Sequence, residues 1–286
     1  RQRVRIQKID GGFVAVNRDS YIESEGVSVG TSRQVVFEDL RELPSLLGFG
    51  FEKLFSITHF DTRRAVIDLR NPIGFDGFVV KTSLVSLIAH RNFEGYHLHY
   101  KLKEGDIVID AGAYHGIYSI SASRLVGKSG KVYAFEPDEA NYEVLCENLR
   151  RNNITNVIPL KLGLWNSKGR LSFSSHEGAS KASSSVDFDG TDGNTGIDTT
   201  TIEDFMRENG IKRLNFLKMD IEGAELEVIK NSADFLNKHK TYIAVASYHI
   251  RDGAMTCHQI EQMLQMAGYR TITEFPPHQT TYGWIE

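Results

Sequence analysis

Cysteine is nearly absent: Cys146 and Cys257 are the two in 286 residues. Two are too few for a disulfide framework or a zinc knuckle, and they fit a reducing compartment, so a cytoplasmic setting is the expectation. Long hydrophobic runs are missing as well. The longest apolar stretches, such as Tyr242 to Ala246, are strand-sized, and no membrane span is expected. Basic charge is not in excess: Lys and Arg total 33 against 37 for Asp and Glu, a net charge of −4. Such a chain lacks the overall positive field that grips a nucleic acid backbone, so no nucleic acid partner is expected. There is no internal repeat. What remains is an ordinary globular composition, 41% apolar and 24% charged, with enough apolar surface to offset the entropy of ordering.

Residues 1–92 carry no clean motif. Val27 to Val36 and Ala65 to Leu69 have strand patterns; Asp39 to Leu47 and Ser83 to Arg91 have helical spacing, with a turn at Asn71-Pro72 and Gly74. This region is expected to be an N-terminal α+β extension or lid related to the substrate. Residues 93–286 are expected to form the cofactor-binding domain. Within them, Ile107 to Ile109 is an unbroken apolar run, as in a strand buried on both faces. Helix and strand then alternate: a helix at Ile117 to Val126, a strand at Lys131 to Phe135, a helix capped by Asp138, and strands at Asn156 to Leu160 and Leu214 to Met219. A helix at Ala224 to Leu236, a strand at Tyr242 to Ser247 and a helix at His258 to Ala267 follow, and strands at Tyr269 to Glu274 and Thr281 to Ile285 close the chain. This alternation predicts a doubly wound α/β sheet. Between Ser174 and Thr199, 18 of 26 residues are Ser, Gly, Asp, Thr or Asn, which predicts a long mobile loop.

In such a sheet ligands bind at the carboxyl ends of the strands. Three acids stand there: Asp110, Glu136 and Asp220. Asp110-x-Gly112-x-Tyr114-x-Gly116 joins the first strand to its helix. Gly112 permits the sharp turn and Gly116 the close approach of the helix start. An acid leading this loop disfavours a pyrophosphate and favours a cationic ligand. Glu136 follows Gly116 by 20 residues, the spacing at which an acid takes hydrogen bonds from ribose hydroxyls. A nucleoside carrying a sulfonium and an amino acid satisfies both features, and S-adenosylmethionine is that ligand.

Three stretches resemble the FkbM-type S-adenosylmethionine-dependent methyltransferases. They are Gly105 to Ser119 (GDIVIDAGAYHGIYS), Lys131 to Pro137 (KVYAFEP) and Leu217 to Lys230 (LKMDIEGAELEVIK), the last with the Asp-x-Glu-Gly-Ala-Glu mark of that family. The resemblance covers about residues 93–250. It implies the class I methyltransferase (Rossmann-like) fold, a seven-stranded sheet, mostly parallel with an antiparallel last strand. It also implies methylation of a hydroxyl on a small molecule, sugar or glycolipid. Carried over by position, Asp110, Gly112, Ala113, Tyr114, Gly116 and Ser119 would surround the methionine end. Glu136 would bind ribose, with Pro137 fixing the turn and Asn141 near the same region, and Gly163 and Leu164 would border the adenine. Tyr114 and His115 stand where the family usually has Asn and an aliphatic residue.

Methyl transfer to oxygen is an in-line displacement, and an alcohol benefits from losing its proton to a positioned base. His249, after the fifth strand, is the first choice as base because histidine titrates near neutral pH. Asp220 and Glu222 complete the catalytic set. The same three residues could hold magnesium, which would acidify a bound hydroxyl, but a metal-free site is the expectation. Three other readings compete. A nicotinamide-dependent oxidoreductase predicts Gly-x-Gly-x-x-Gly at the first turn and often Tyr-x-x-x-Lys, both absent. A catalytically silent binding module predicts a blocked pocket. A nucleic acid methyltransferase would prefer a Pro-Pro signature where Asp220-Ile-Glu-Gly stands. The acceptor and the oligomeric state are not legible.

Overall fold

The structure is a computed structural model. It describes residues 72–75, 77–82, 93–175, 184–186, 195–251, 253–275 and 278–286, with the strand segments 5–9, 13–17, 34–37, 59–61 and 64–68. The chain divides into two compact units. One comprises residues 1–91 with the short pieces 150–152 and 177–182, and the other comprises the remainder.

In the first unit, β1 (Arg5–Ile9), β2 (Phe13–Asn17), β3 (Gln34–Phe37), β4 (His59–Asp61) and β5 (Arg64–Asp68) form a sheet in the order β1-β2-β3-β5-β4. The strand expected at Ala65 to Leu69 is β5, and the one expected at Val27 to Val36 overlaps β3. The helices expected at Asp39 to Leu47 and Ser83 to Arg91 lie outside the described residues. β6 (Ile73–Phe75) and β7 (Phe78–Val80) make a hairpin. Its turn falls at Gly77, with φ of 76°, and not at Gly74, which lies within β6. A tight hairpin needs a left-handed backbone at its tip, and glycine adopts it without strain.

The second unit begins with α1 (Phe93–Tyr96), β8 (Ile107–Ala111), α2 (Ile117–Val126), β9 (Lys131–Phe135), α3 (Glu139–Arg151) and β10 (Val157–Leu160). Next come β11 (Gly163–Leu164), β12 (Gly169–Ser175), β13 (Ser184–Val186), β14 (Thr195–Thr200) and α4 (Ile202–Glu208). The chain ends with β15 (Phe216–Met219), α5 (Glu225–Lys238), β16 (Tyr242–Ala246), β17 (Ile250–Arg251), β18 (Ala254–Met255), α6 (Cys257–Met266), β19 (Arg270–Glu274) and β20 (Thr280–Trp284).

Seven of these strands form one sheet in the order β10-β9-β8-β15-β16-β20-β19. The first five are mutually parallel, and β20 runs antiparallel to both its neighbours. The expected seven-stranded sheet with an antiparallel final strand is therefore present. β8 and β15 are buried along almost their whole length, which requires cover on both faces. On one face Ile109, Leu217, Met219 and Val245 pack with Phe205, Met206, Leu226, Ile229 and Ile260 from α4, α5 and α6. On the other, Phe216 meets the ring of Tyr100, and Lys218 lies over the rings of Tyr96 and Tyr118.

Within the polar segment 174–199 the structure describes residues 174, 175, 184–186 and 195–199. The segment supplies β13 and β14, which join β11 and β12 in the order β11-β14-β12-β13. Ser, Thr and Gly strands are held by backbone pairing, and one apolar side chain, Ile197, is enough to seat β14 against the core.

Candidate functional site

The chain enters the seven-stranded sheet at β8, moves outward through β9 and β10, and returns to β15 on the other side of β8. The strand order thus reverses between β8 and β15, and a crevice opens at their carboxyl ends. Gly112, at φ of 77°, turns the chain out of β8, and the N–H groups of Gly112 and Ala113 donate to Phe135 O at 3.0 and 2.9 Å. A Cβ at Gly112 would run into the carbonyl oxygen of Asp220, so only glycine lets the two strand ends lie this close. Gly116, at φ of 80°, stands at the start of α2, where a Cβ would strike Leu145 of α3.

Between these glycines Tyr114 takes a left-handed conformation, φ 51°, which aims its N–H at Glu136 Oε2, 2.7 Å away. The other carboxylate oxygen of Glu136 accepts the N–H of Asp138 at 3.0 Å, and the Asn141 side chain bonds the same carboxylate. Asp138 in turn caps α3 as expected, accepting the N–H of Asn141 at 2.9 Å. Glu136 is 6% exposed. Burial pushes its carboxyl up to about 7 even though the Asp138 and Tyr114 amides pull the other way. Such a carboxylate gains from hydroxyl donors: the two N–H groups leave it further lone pairs, and a diol can satisfy them without bringing charge. This donor set fits a ribose. Pro137 continues the turn and is half-buried.

Asp110 has a different environment from the one its sequence suggested. It is fully buried, and Lys218 Nζ sits 2.9 Å from its Oδ1. Ser119 donates to Oδ2 at 2.5 Å, so both polar groups face each other inside the protein. The Asp110 charge is balanced by Lys218 and does not await a cationic ligand. Lys218 also donates to Gly112 O at 2.9 Å and Ala111 O at 3.3 Å, which ties the turn after β8 to the middle of β15. The expectation that Asp110 and Ser119 meet the ligand directly gives way to a supporting position beneath the loop.

A second group of polar side chains gathers at the ends of β15 and β16. Tyr96 and Tyr248 donate to Oδ2 and Oδ1 of Asp220 at 3.1 and 3.3 Å, and His278 Nε2 stands 3.6 Å from Oδ2. His249 Nε2 lies 3.6 Å from Asp220 and 3.5 Å from Glu222, and its Nδ1 lies 3.3 Å from Glu225. Burial works to raise Asp220, but the hydrogen bond from His278 and the positive charges of Lys218 and His249 prevail and hold it well below the usual carboxylate range. Glu222, in a left-handed conformation at φ 57°, is pushed up to about 7 by burial and by the charge of Asp220. Burial draws His249 down, yet Glu225, Asp220 and Glu222 outweigh it and raise the imidazole to about 9. The premise for His249 as base, an imidazole neutral near pH 7, does not describe this carboxylate-ringed setting. Burial also raises the hydroxyls of Tyr96 and Tyr248, which therefore act as donors.

Sequence reasoning brought Gly112, Ala113, Tyr114, Gly116, Glu136 and Asn141 to one crevice and Asp220, Glu222 and His249 to another cluster, and the structure does the same. Gly163 and Leu164 form β11, paired with Thr199 and Thr200, and the Leu164 side chain is in the core. Three residues were missed. Lys218 had a signal, a lone cation in an otherwise apolar strand. Tyr248 and His278 had none, because loops far apart in sequence deliver them. Among the described residues, no helix is long and apolar enough to cross a membrane.

Comparison with known proteins gives the family of the chain. The model of the methyltransferase FkbM domain matches residues 110–271, more than half of the chain. The chain belongs to the FkbM methyltransferase family, and its cofactor is S-adenosylmethionine. It is 32% identical over 134 residues to hexuronic acid methyltransferase AglP of Haloferax volcanii, covering 47% of this chain and 53% of that protein. It is 30% identical over 160 residues to methyltransferase sdnD of Sordaria araneosa, covering 45% of this chain and 61% of that protein. The chain thus spans little more than half the length of these relatives. A solved FkbM methyltransferase from Methylobacillus flagellatus overlaps 71% of this chain and 56% of its own, with 20% identity and a TM-score of 0.46.

Proposed function

We propose that this FkbM-family methyltransferase transfers its methyl group to a hydroxyl oxygen of a small molecule, sugar or glycolipid. The gathering of Asp220, Glu222 and His249 beside the Gly112 turn carries the reading. An acceptor that is already ionised needs no proton removed, whereas a hydroxyl does. A cluster of carboxylates at the cofactor crevice suits the second case. The name of the Haloferax relative supports a sugar.

When bound, S-adenosylmethionine supplies an electrophilic methyl on a sulfonium. Glu136, braced by Asn141 and Pro137, accepts the ribose hydroxyls. Gly112, Ala113, Tyr114 and Gly116 shape the loop for the methionine end, above Asp110 and Ser119, and Gly163-Leu164 border the adenine. Glu222, whose carboxyl is pushed up to about 7, is the acceptor for the substrate hydroxyl proton, with Asp220, held by Tyr96, Tyr248 and His278, and His249 flanking it.

The test uses methyl-labelled cofactor with glycosides that offer both hydroxyls and a hexuronic acid carboxylate. The label should enter as an ether that survives mild alkali; a label released by mild alkali would mark a carboxyl ester and overturn the hydroxyl reading. Glu222→Gln should lower turnover by about 100-fold or more, with S-adenosylhomocysteine affinity unchanged by calorimetry.

A further inference from the structure

We propose that Asp220, Glu225 and His249 form a site for a divalent cation of the magnesium or manganese class; the inference rests on the hydroxyl-transfer reading and deepens it. One ligand atom from each of the three lies within 4.8 Å of the others. Two ligands of one such ion stand at most about 4.2–4.6 Å apart, twice the metal–ligand distance, so closure on an ion needs shifts of a few tenths of an ångström.

Two buried side chains supply an independent observation. Glu225 is 0% exposed and the His249 side chain 9%. Glu225 Oε2 and both ring nitrogens of His249 are buried with no hydrogen-bond partner among the described residues. Buried polar atoms normally have one. Glu225 Oε1 accepts the Ile221 N–H at 2.7 Å, which fixes the carboxylate with Oε2 unused. The separations of 3.3–3.6 Å between His249 and the carboxylates are long for charge-assisted hydrogen bonds, which run about 2.7–2.9 Å. One imidazole gives a single ring nitrogen to an ion, so the 3.6 Å between Nε2 and Asp220 is a separation of neighbouring ligands, while the 3.3 Å approach of Glu225 is to Nδ1 on the other side of the ring. Glu222, 3.5 Å from Nε2, adds negative charge at the mouth. Carboxylates with a single imidazole and no thiolate select a hard cation. Three protein ligands leave open positions on a six-coordinate ion, where an acceptor hydroxyl can be held.

The test titrates the full chain, stripped with EDTA, with MnCl2 and follows free Mn2+ by electron paramagnetic resonance. One Mn2+ should bind per chain, displaced by Mg2+, and the bound ion should show nitrogen coupling from one imidazole. His249→Gln should weaken binding at least tenfold and abolish the coupling. Absence of bound Mn2+ at millimolar concentration, or a bound ion without nitrogen coupling in the unaltered protein, overturns the proposal and needs no variant to fold. Calorimetry with S-adenosylhomocysteine on the same stripped protein reads the methyltransferase assignment separately. Cofactor binding in a protein that fails to take up Mn2+ in the titration defeats only the cation site, and absence of cofactor binding in folded protein defeats the reading beneath it.

Discussion

Glu136 and Asp220 are carboxylates at the ends of β9 and β15 in one sheet, and their surroundings drive them in opposite directions. Glu136 is met only by neutral donors, among them the amides of Tyr114 and Asp138, and burial pushes it up to about 7. Asp220 lies among Lys218, His249 and His278 and is held well below the usual carboxylate range. Position at a strand end therefore sets where an acid stands, and its neighbours set what it can do. Glu136 suits neutral hydroxyl donors. Asp220 stays ionised and suits cations.

The sharpest way to break this contrast is Lys218→Met. It leaves Asp110 buried without its partner, a loss of roughly 3–5 kcal/mol for a broken buried pair. The urea midpoint should fall accordingly, and adding Asp110→Asn should restore part of it, because the orphaned charge is gone. Next comes Gly112→Ala. A Cβ there meets the Asp220 carbonyl at a backbone φ of 77°. Left-handed strain of about 1–2 kcal/mol and overpacking of about 1–3 kcal/mol should lower the melting temperature and loosen cofactor binding.

Glu136→Gln sharpens the comparison through pH. The folded protein holds the Glu136 proton to about 7, above its ordinary value of 4.5. Its ionisation therefore costs the fold roughly 3 kcal/mol, incurred as pH rises from about 4.5 through about 7 and constant above. Ribose hydroxyls donate to the ionised form, so cofactor affinity should strengthen as pH rises through about 7. The variant should bind roughly ten- to a hundredfold more weakly, the loss of a charge-assisted bond of about 1.5–3 kcal/mol, and its affinity should no longer vary in that window. Calorimetry across pH 5–8, a range of about three units around the shift, reads both effects. The smallest expected effect is Asp138→Ala, which removes the cap of α3 and should cost about 1 kcal/mol by urea unfolding while leaving the Asp220 cluster intact.

Much of the second unit was legible because its signals are local. Ile107 to Ile109 announced a strand buried on both faces, and Asp138 announced a helix start. The strands β13 and β14 inside the segment 174–199 were not legible, because its composition says only that it cannot build a core, while they are held by backbone pairing that composition does not encode. The Lys218 pair was invisible for another reason. Asp110 and Lys218 lie 108 positions apart, and only the parallel register of β8 with β15 sets them opposite each other. The carboxylates were found and their partners were not, so the sequence reading assigned Asp110 a charge for the ligand that the fold had already neutralised.

By itself, the chain determined the alternation of strand and helix, the glycines that turn at the cofactor loop, and the acids at the strand ends. These depend on short-range sterics and on the two- and four-residue periods of the elements. Tertiary structure alone decided which charges meet, since Coulomb interactions and desolvation depend on distance through space. That is why Tyr96, from the end of α1, and Tyr248 and His278, from two separate loops, surround Asp220.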